Sequence, residues 1–161
     1  MIRSKFAPLL LLLATVLLAS CGEQDLTALS CGVVPLADAH EPDDSRTAAM
    51  LRPPLTDGIP ANGTADSYFH RDVFELTTTG GDVTIDLTFN QIDGDLDMFL
   101  FDETGAALIA SAETDTDNEQ IALTGMDAPD AGTYYLLIRL FGCPMTAPFP
   151  LYYQVEFVET P

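Results

Sequence analysis

The sequence predicts an all-β domain: an antiparallel, jelly-roll-like β-sandwich of about seven to nine strands. Three observations predict it. Apolar and polar residues alternate over several short stretches. Those stretches recur at intervals of roughly ten residues, parted by Gly, Pro and Asp turn chemistry. No long stretch beyond the first twenty residues keeps a 3.6-residue period. A closed barrel fits less well, because the stretches differ in length and face pattern.

Taken in order, Ser45 to Leu51 permits one or two helical turns, with Asp43 or Asp44 as the N-cap. Asn62-Gly63-Thr64 matches a glycosylation sequon and reads as a turn. Tyr68 to Thr77 is the first predicted strand, closed by Gly80-Gly81. Asp82 to Asn90 is the cleanest: Val83, Ile85, Leu87 and Phe89 point one way, Thr84, Asp86 and Thr88 the other, as in a strand with one wet face. Residues 94–102 set Leu96, Met98 and Leu100 against Asp95, Asp97, Phe99 and Phe101, so both faces are expected to be covered near the end. Glu103-Thr104-Gly105 reads as a hairpin turn and Ala107 to Ala112 as its return strand. An exposed loop at 115–118 leads to Glu119–Thr124, with Ile121 and Leu123 inward. Residues 131–142 are apolar on both faces, as in a central strand, and 150–159 turn Leu151, Tyr153, Val155 and Phe157 to one side.

The chain's beginning reads differently. Arg3 and Lys5 precede an apolar run from Ala7 to Leu18, too short to span a bilayer but suited to a signal peptide. The run ends Leu18-Ala19-Ser20-Cys21, which resembles a bacterial lipobox. That resemblance implies removal of residues 1–20 and lipidation of Cys21, the rival being a plain secretory signal. Residues 21–40 then form a tether and 41–161 the sandwich. Lipid chains would anchor the protein to a membrane rather than span it. Gly22 after the Cys resembles the outer-membrane pattern of a Gram-negative host.

Removing residues 1–20 leaves four arginines and no lysine against 25 acidic residues, a net charge of −21. Such a chain repels nucleic acid, whose binding rests on Lys and Arg meeting phosphate. With Cys21 lipidated, Cys31 and Cys143 form an even pair in an oxidising compartment, which points to a disulfide; a two-Cys metal site is the alternative.

The motif order resembles the bacterial pre-peptidase C-terminal domain. Its parts are Glu41-Pro42-Asp43-Asp44, then His70-Arg71-Asp72-Val73-Phe74-Glu75-Leu76, Gly94-Asp95-Leu96-Asp97-Met98-Phe99-Leu100, Ala131-Gly132-Thr133-Tyr134-Tyr135 and the closing Tyr153-Gln154-Val155. The resemblance covers residues 40–158 and implies a sandwich without catalysis of its own, distantly like the collagen-binding domains of clostridial collagenases. Carried over from the calcium-binding relatives, Glu41, Asp43, Asp44 and Asp72 would hold a calcium ion through hard oxygens. His70 departs from the family there, standing where an acid is common. A second acidic run, Asp93 to Asp97, fails as an EF-hand: its sixth position is Met98 and its twelfth Thr104. It reads as a solvated face.

No nucleophile elbow, zinc-protease helix or phosphate loop is present, and His40 and His70 are the only imidazoles. The expectation is a non-catalytic, lipid-anchored cell-envelope module that binds or supports an envelope or extracellular protein or polysaccharide. A calcium-stabilised spacer and a small secreted hydrolase are the alternatives. Tyr134, Tyr135, Tyr152 and Tyr153 would form a contact face if exposed, and core or cross-strand pairs if not.

Overall fold

The computed structural model describes residues 45–65, 71–141 and 150–161. A single helical turn, α1 (Arg46–Ala49), is followed by eight strands: β1 (Ala61–Ala65), β2 (Arg71–Thr78), β3 (Asp82–Thr88), β4 (Leu96–Phe101), β5 (Leu108–Ala112), β6 (Glu119–Leu123), β7 (Gly132–Leu140) and β8 (Leu151–Thr160). They form two four-stranded sheets, ordered β1-β8-β3-β6 and β2-β7-β4-β5. Every strand pair is antiparallel. Only the β4–β5 hairpin stays within one sheet; each other connection crosses from sheet to sheet. This is the jelly-roll order of an eight-stranded double sheet.

The period-2 pattern explains the layering. Val83, Ile85 and Leu87 of β3 and Leu151, Val155 and Phe157 of β8 meet Phe74 and Leu76 of β2, Leu96, Met98 and Leu100 of β4, and Leu136, Ile138 and Leu140 of β7 in one buried cluster. Each such side chain contributes about 1.5–3 kcal/mol when removed from water. The central place of β7, between β2 and β4, accounts for its two apolar faces.

Three local expectations are corrected. The N-cap of α1 is Ser45, whose Oγ accepts the Ala48 N–H at 3.2 Å, rather than Asp43 or Asp44. The Asn62-Gly63-Thr64 segment is not a turn but the middle of β1, paired in register with β8. Asp97 is buried rather than solvated. The hairpin at Glu103-Thr104-Gly105 stands as expected: Gly105 has φ 69° and its N–H donates to the Asp102 carbonyl at 2.9 Å.

The acidic residues have a structural use. Carboxylates of Asp57, Asp82 and Asp117 accept the backbone N–H of Glu159, Gly125 and Gln91 at 2.9, 2.8 and 2.6 Å. Asp102 Oδ1 takes those of Ala106 and Ala107, both at 3.1 Å. Buried Glu119 accepts both the N–H and the hydroxyl of Thr114. Glu159 gathers the Thr78 hydroxyl, the Thr79 N–H and hydroxyl, and the Gly81 N–H, all within 2.9 Å. These donors, the Thr78 hydroxyl foremost, hold its carboxyl down at about 2. In this fold, a carboxylate is often the acceptor that ties a loop down.

Candidate functional site

Among the residues expected to form a site, only Asp72 lies within the described residues; Cys21, Cys31, Glu41, Asp43, Asp44 and Cys143 lie outside them, as do His40 and His70. Asp72 is the second residue of β2, opposite Ile138, and its side chain turns inward at 1% exposure. There it accepts a hydrogen bond from the Tyr153 hydroxyl of β8, in the opposite sheet. Tyr153 sits directly across from Gly63 on β1. A β-carbon at Gly63 would fall inside the Tyr153 ring, so the bare backbone is what lets the ring lie flat and aim its hydroxyl at Asp72. Among the described residues, no three His, Cys, Asp or Glu side chains are arranged to hold a metal ion.

A second acidic place lies on the outer face of the β2-β7-β4-β5 sheet, in the row next to Asp72. Asp97 of β4 stands opposite Arg139 of β7, and their side chains meet at 3.1 Å. Arg139 also lies over the Phe99 ring, 4.9 Å from its centroid. Burial pushes the Asp97 carboxyl up, Asp95 and Glu113 add to this, and the Arg139 hydrogen bond opposes it. Asp95, Asp97, Glu113, Thr114, Asp115 and Phe141 line a notch of about 210 Å³.

The third place is a cleft of about 280 Å³ between α1 and the outer face of β2 and β7. Val73, Leu137 and Phe101 line it, together with Arg46, Arg71 and Tyr135. The Arg46 guanidinium lies over the Tyr135 ring, 5.5 Å from its centroid, and donates to the Glu103 and Thr104 carbonyl oxygens. Burial raises the Tyr135 phenol above its ordinary value, and neighbouring Glu75 raises it further.

Of the four tyrosines singled out, three are built into the body. Tyr153 and Tyr135 are buried, and Tyr134 packs against the core with its hydroxyl on the Asp130 carbonyl at 3.0 Å. Tyr152 alone stands out, at 71% exposure. No shared tyrosine face forms. The cleft was not foreseen, because its lining comes from α1, β2, β4, the β4–β5 turn and β7. The one available signal was the scarcity of bases beyond residue 20: Arg46 and Arg71 are half of them.

No curated protein sequence matches the chain. Residues 70–140 match the family model of the bacterial pre-peptidase C-terminal domain. Among solved structures, the chain is similar to the pre-peptidase C-terminal domain of collagenase from Bacillus anthracis, with 14% identity and a TM-score of 0.50 over 66% of this chain and 97% of that one. At that identity the likeness speaks for fold alone. A periplasmic inhibitor of g-type lysozyme, PliG of Aeromonas hydrophila, matches at 15% identity with a TM-score of 0.37, over 62% of this chain and 82% of that one. Residues 70–140 are thus similar to the bacterial pre-peptidase C-terminal domain, and they lie within a two-sheet jelly-roll fold.

Proposed function

We propose that the protein is a non-catalytic module of the bacterial cell envelope, held to a membrane by lipid on Cys21, that acts by binding a partner or ligand. One observation carries the reading. Four buried polar side chains of the described residues are engaged in structural bonds: Asp72 with Tyr153, Asp97 with Arg139, Glu119 with Thr114, and Thr78 with Glu159. In each pair the bond ties two segments of the fold together. The cleft between α1 and the β2-β7-β4-β5 sheet is lined by arginines and apolar side chains, the make-up of a binding site. The signal-peptide pattern and Cys21 support the envelope location.

The test is fractionation of cells producing the protein, with radiolabelled palmitate. Native protein is expected in the membrane fraction carrying label, and Cys21→Ser is expected unlabelled. Native protein without label, or label retained after Cys21→Ser, would remove the anchor. Broad peptidase and glycosidase assays on the same preparation are expected to show no turnover. Turnover abolished by one point substitution would make it a hydrolase.

A further inference from the structure

We propose that the cleft between α1 and the β2-β7-β4-β5 sheet binds a carboxylate carried on a small apolar body. The proposal rests on the non-catalytic binding reading and supplies its ligand chemistry. Val73, Leu137 and Phe101 come from three adjacent strands, β2, β7 and β4, and leave an apolar floor half-open. Arg46 and Arg71 stand beside that floor. Arg46 is held in place by the Tyr135 ring and by two carbonyl oxygens. Those partners are neutral, and it forms no ion pair with a carboxylate of the described residues. Arg71 is exposed at the start of β2, and the hydrogen bonds and ion pairs of the described residues give its side chain no partner. Glu75, the acid on the same face of β2, takes the Tyr135 hydroxyl at 3.3 Å.

A guanidinium is a planar fork of donors that matches a carboxylate two bonds at a time. Two of them over an aliphatic and aromatic floor select an anion with an apolar body. At about 280 Å³ the cleft lies at the small end of ligand pockets, enough for one or two residues. The chain's large negative charge does not forbid this. Screening over about 8 Å at physiological salt leaves the nearest guanidiniums to decide. A free small acid and the carboxyl end of a peptide present the same chemistry.

The experiment titrates the full-length protein, purified in detergent, with N-acetyl-leucine, N-acetyl-leucinamide and a pentapeptide ending in leucine with a free carboxyl. N-acetyl-leucine is expected to bind with a Kd of about 1 mM, the range open to so small a ligand. The amide should bind about tenfold more weakly, since it lacks the charge. Arg71→Ala should weaken the acid about tenfold with an unchanged melting midpoint, and Arg71→Lys should fall between. Tighter binding of the pentapeptide assigns the site to a chain end, and equal binding to a free acid. Equal affinity for acid and amide, native-like affinity in Arg71→Ala, or no saturation at tens of millimolar overturns the proposal. None of those failures would show turnover or release the Cys21 anchor, so the non-catalytic envelope module stands apart from them.

Discussion

The outer face of β1-β8-β3-β6 sets polar side chains against polar side chains, whereas the outer face of β2-β7-β4-β5 sets aliphatic and aromatic groups among arginines. On the first, Gln120 donates to Asp86 at 2.6 Å and Gln154 to Asn62 at 3.1 Å, each pair directly opposed across two strands. Such pairs satisfy each other, and exposed Tyr152, with Glu156 opposite Asp86, shares that face. On the second, Val73, Phe99, Phe101 and Leu137 are only half covered. Arg139 lies over Phe99 and Arg46 over Tyr135. The difference shows that the four arginines beyond residue 20 are not scattered solubility charges. Three of them, Arg46, Arg71 and Arg139, lie at one sheet's outer face.

The clasp beneath both faces gives the largest expected effect. Gly63→Ala drives a β-carbon into the Tyr153 ring and turns its hydroxyl away from Asp72. A destabilisation of about 3 kcal/mol is expected in urea unfolding, from overpacking and a lost bond to a buried carboxylate. Tyr153→Phe should lose about 2 kcal/mol, the bond alone. A neutral result for both would mean that the two sheets are not joined there.

Next comes the ion pair on the arginine-bearing face. Arg139→Gln leaves Asp97 buried without its cation, and about 2 kcal/mol is expected at pH 7, less than for a fully buried pair because Arg139 is 37% exposed. The sign with pH follows from the raised Asp97 carboxyl. The folded state takes up its proton more readily than the unfolded chain, so the variant's deficit should shrink as pH falls toward 4. A deficit that is constant across pH would contradict this account of Asp97.

Glu159→Gln should lose about 1 kcal/mol, since the carboxylate is partly open to water. Here the shift runs the other way. The folded carboxyl sits at about 2, below the ordinary value of about 4.3. Its contribution is therefore complete above the ordinary value and lost as pH falls through about 2, and native and variant should converge in acid. The smallest effect belongs to the wet face. Gln120→Ala should change stability by less than about 0.5 kcal/mol, as exposed polar pairs do.

Much of this was legible in the chain. Asp82–Asn90 and residues 150–159 alternate so strictly that strand, face and core membership follow directly. β1 was not legible, because Asn62-Gly63-Thr64 carries turn chemistry, and only pairing with β8 makes it a strand. Gly63 is there for the Tyr153 ring, a partner 90 residues away. The acids were legible as charge but not as use. Whether a carboxylate ties a loop, caps a pair or faces water depends on which backbone N–H arrives beside it. The arginine cleft needed the same long-range information.

Amide chemical-shift mapping of the protein during titration with N-acetyl-leucine tests the contrast between the two faces most directly. Shifts are expected at residues 71–75, 101–105 and 133–139, with residues 84–88, 120–122 and 152–158 unmoved. Shifts centred on the second group, or spread evenly over both, would contradict it.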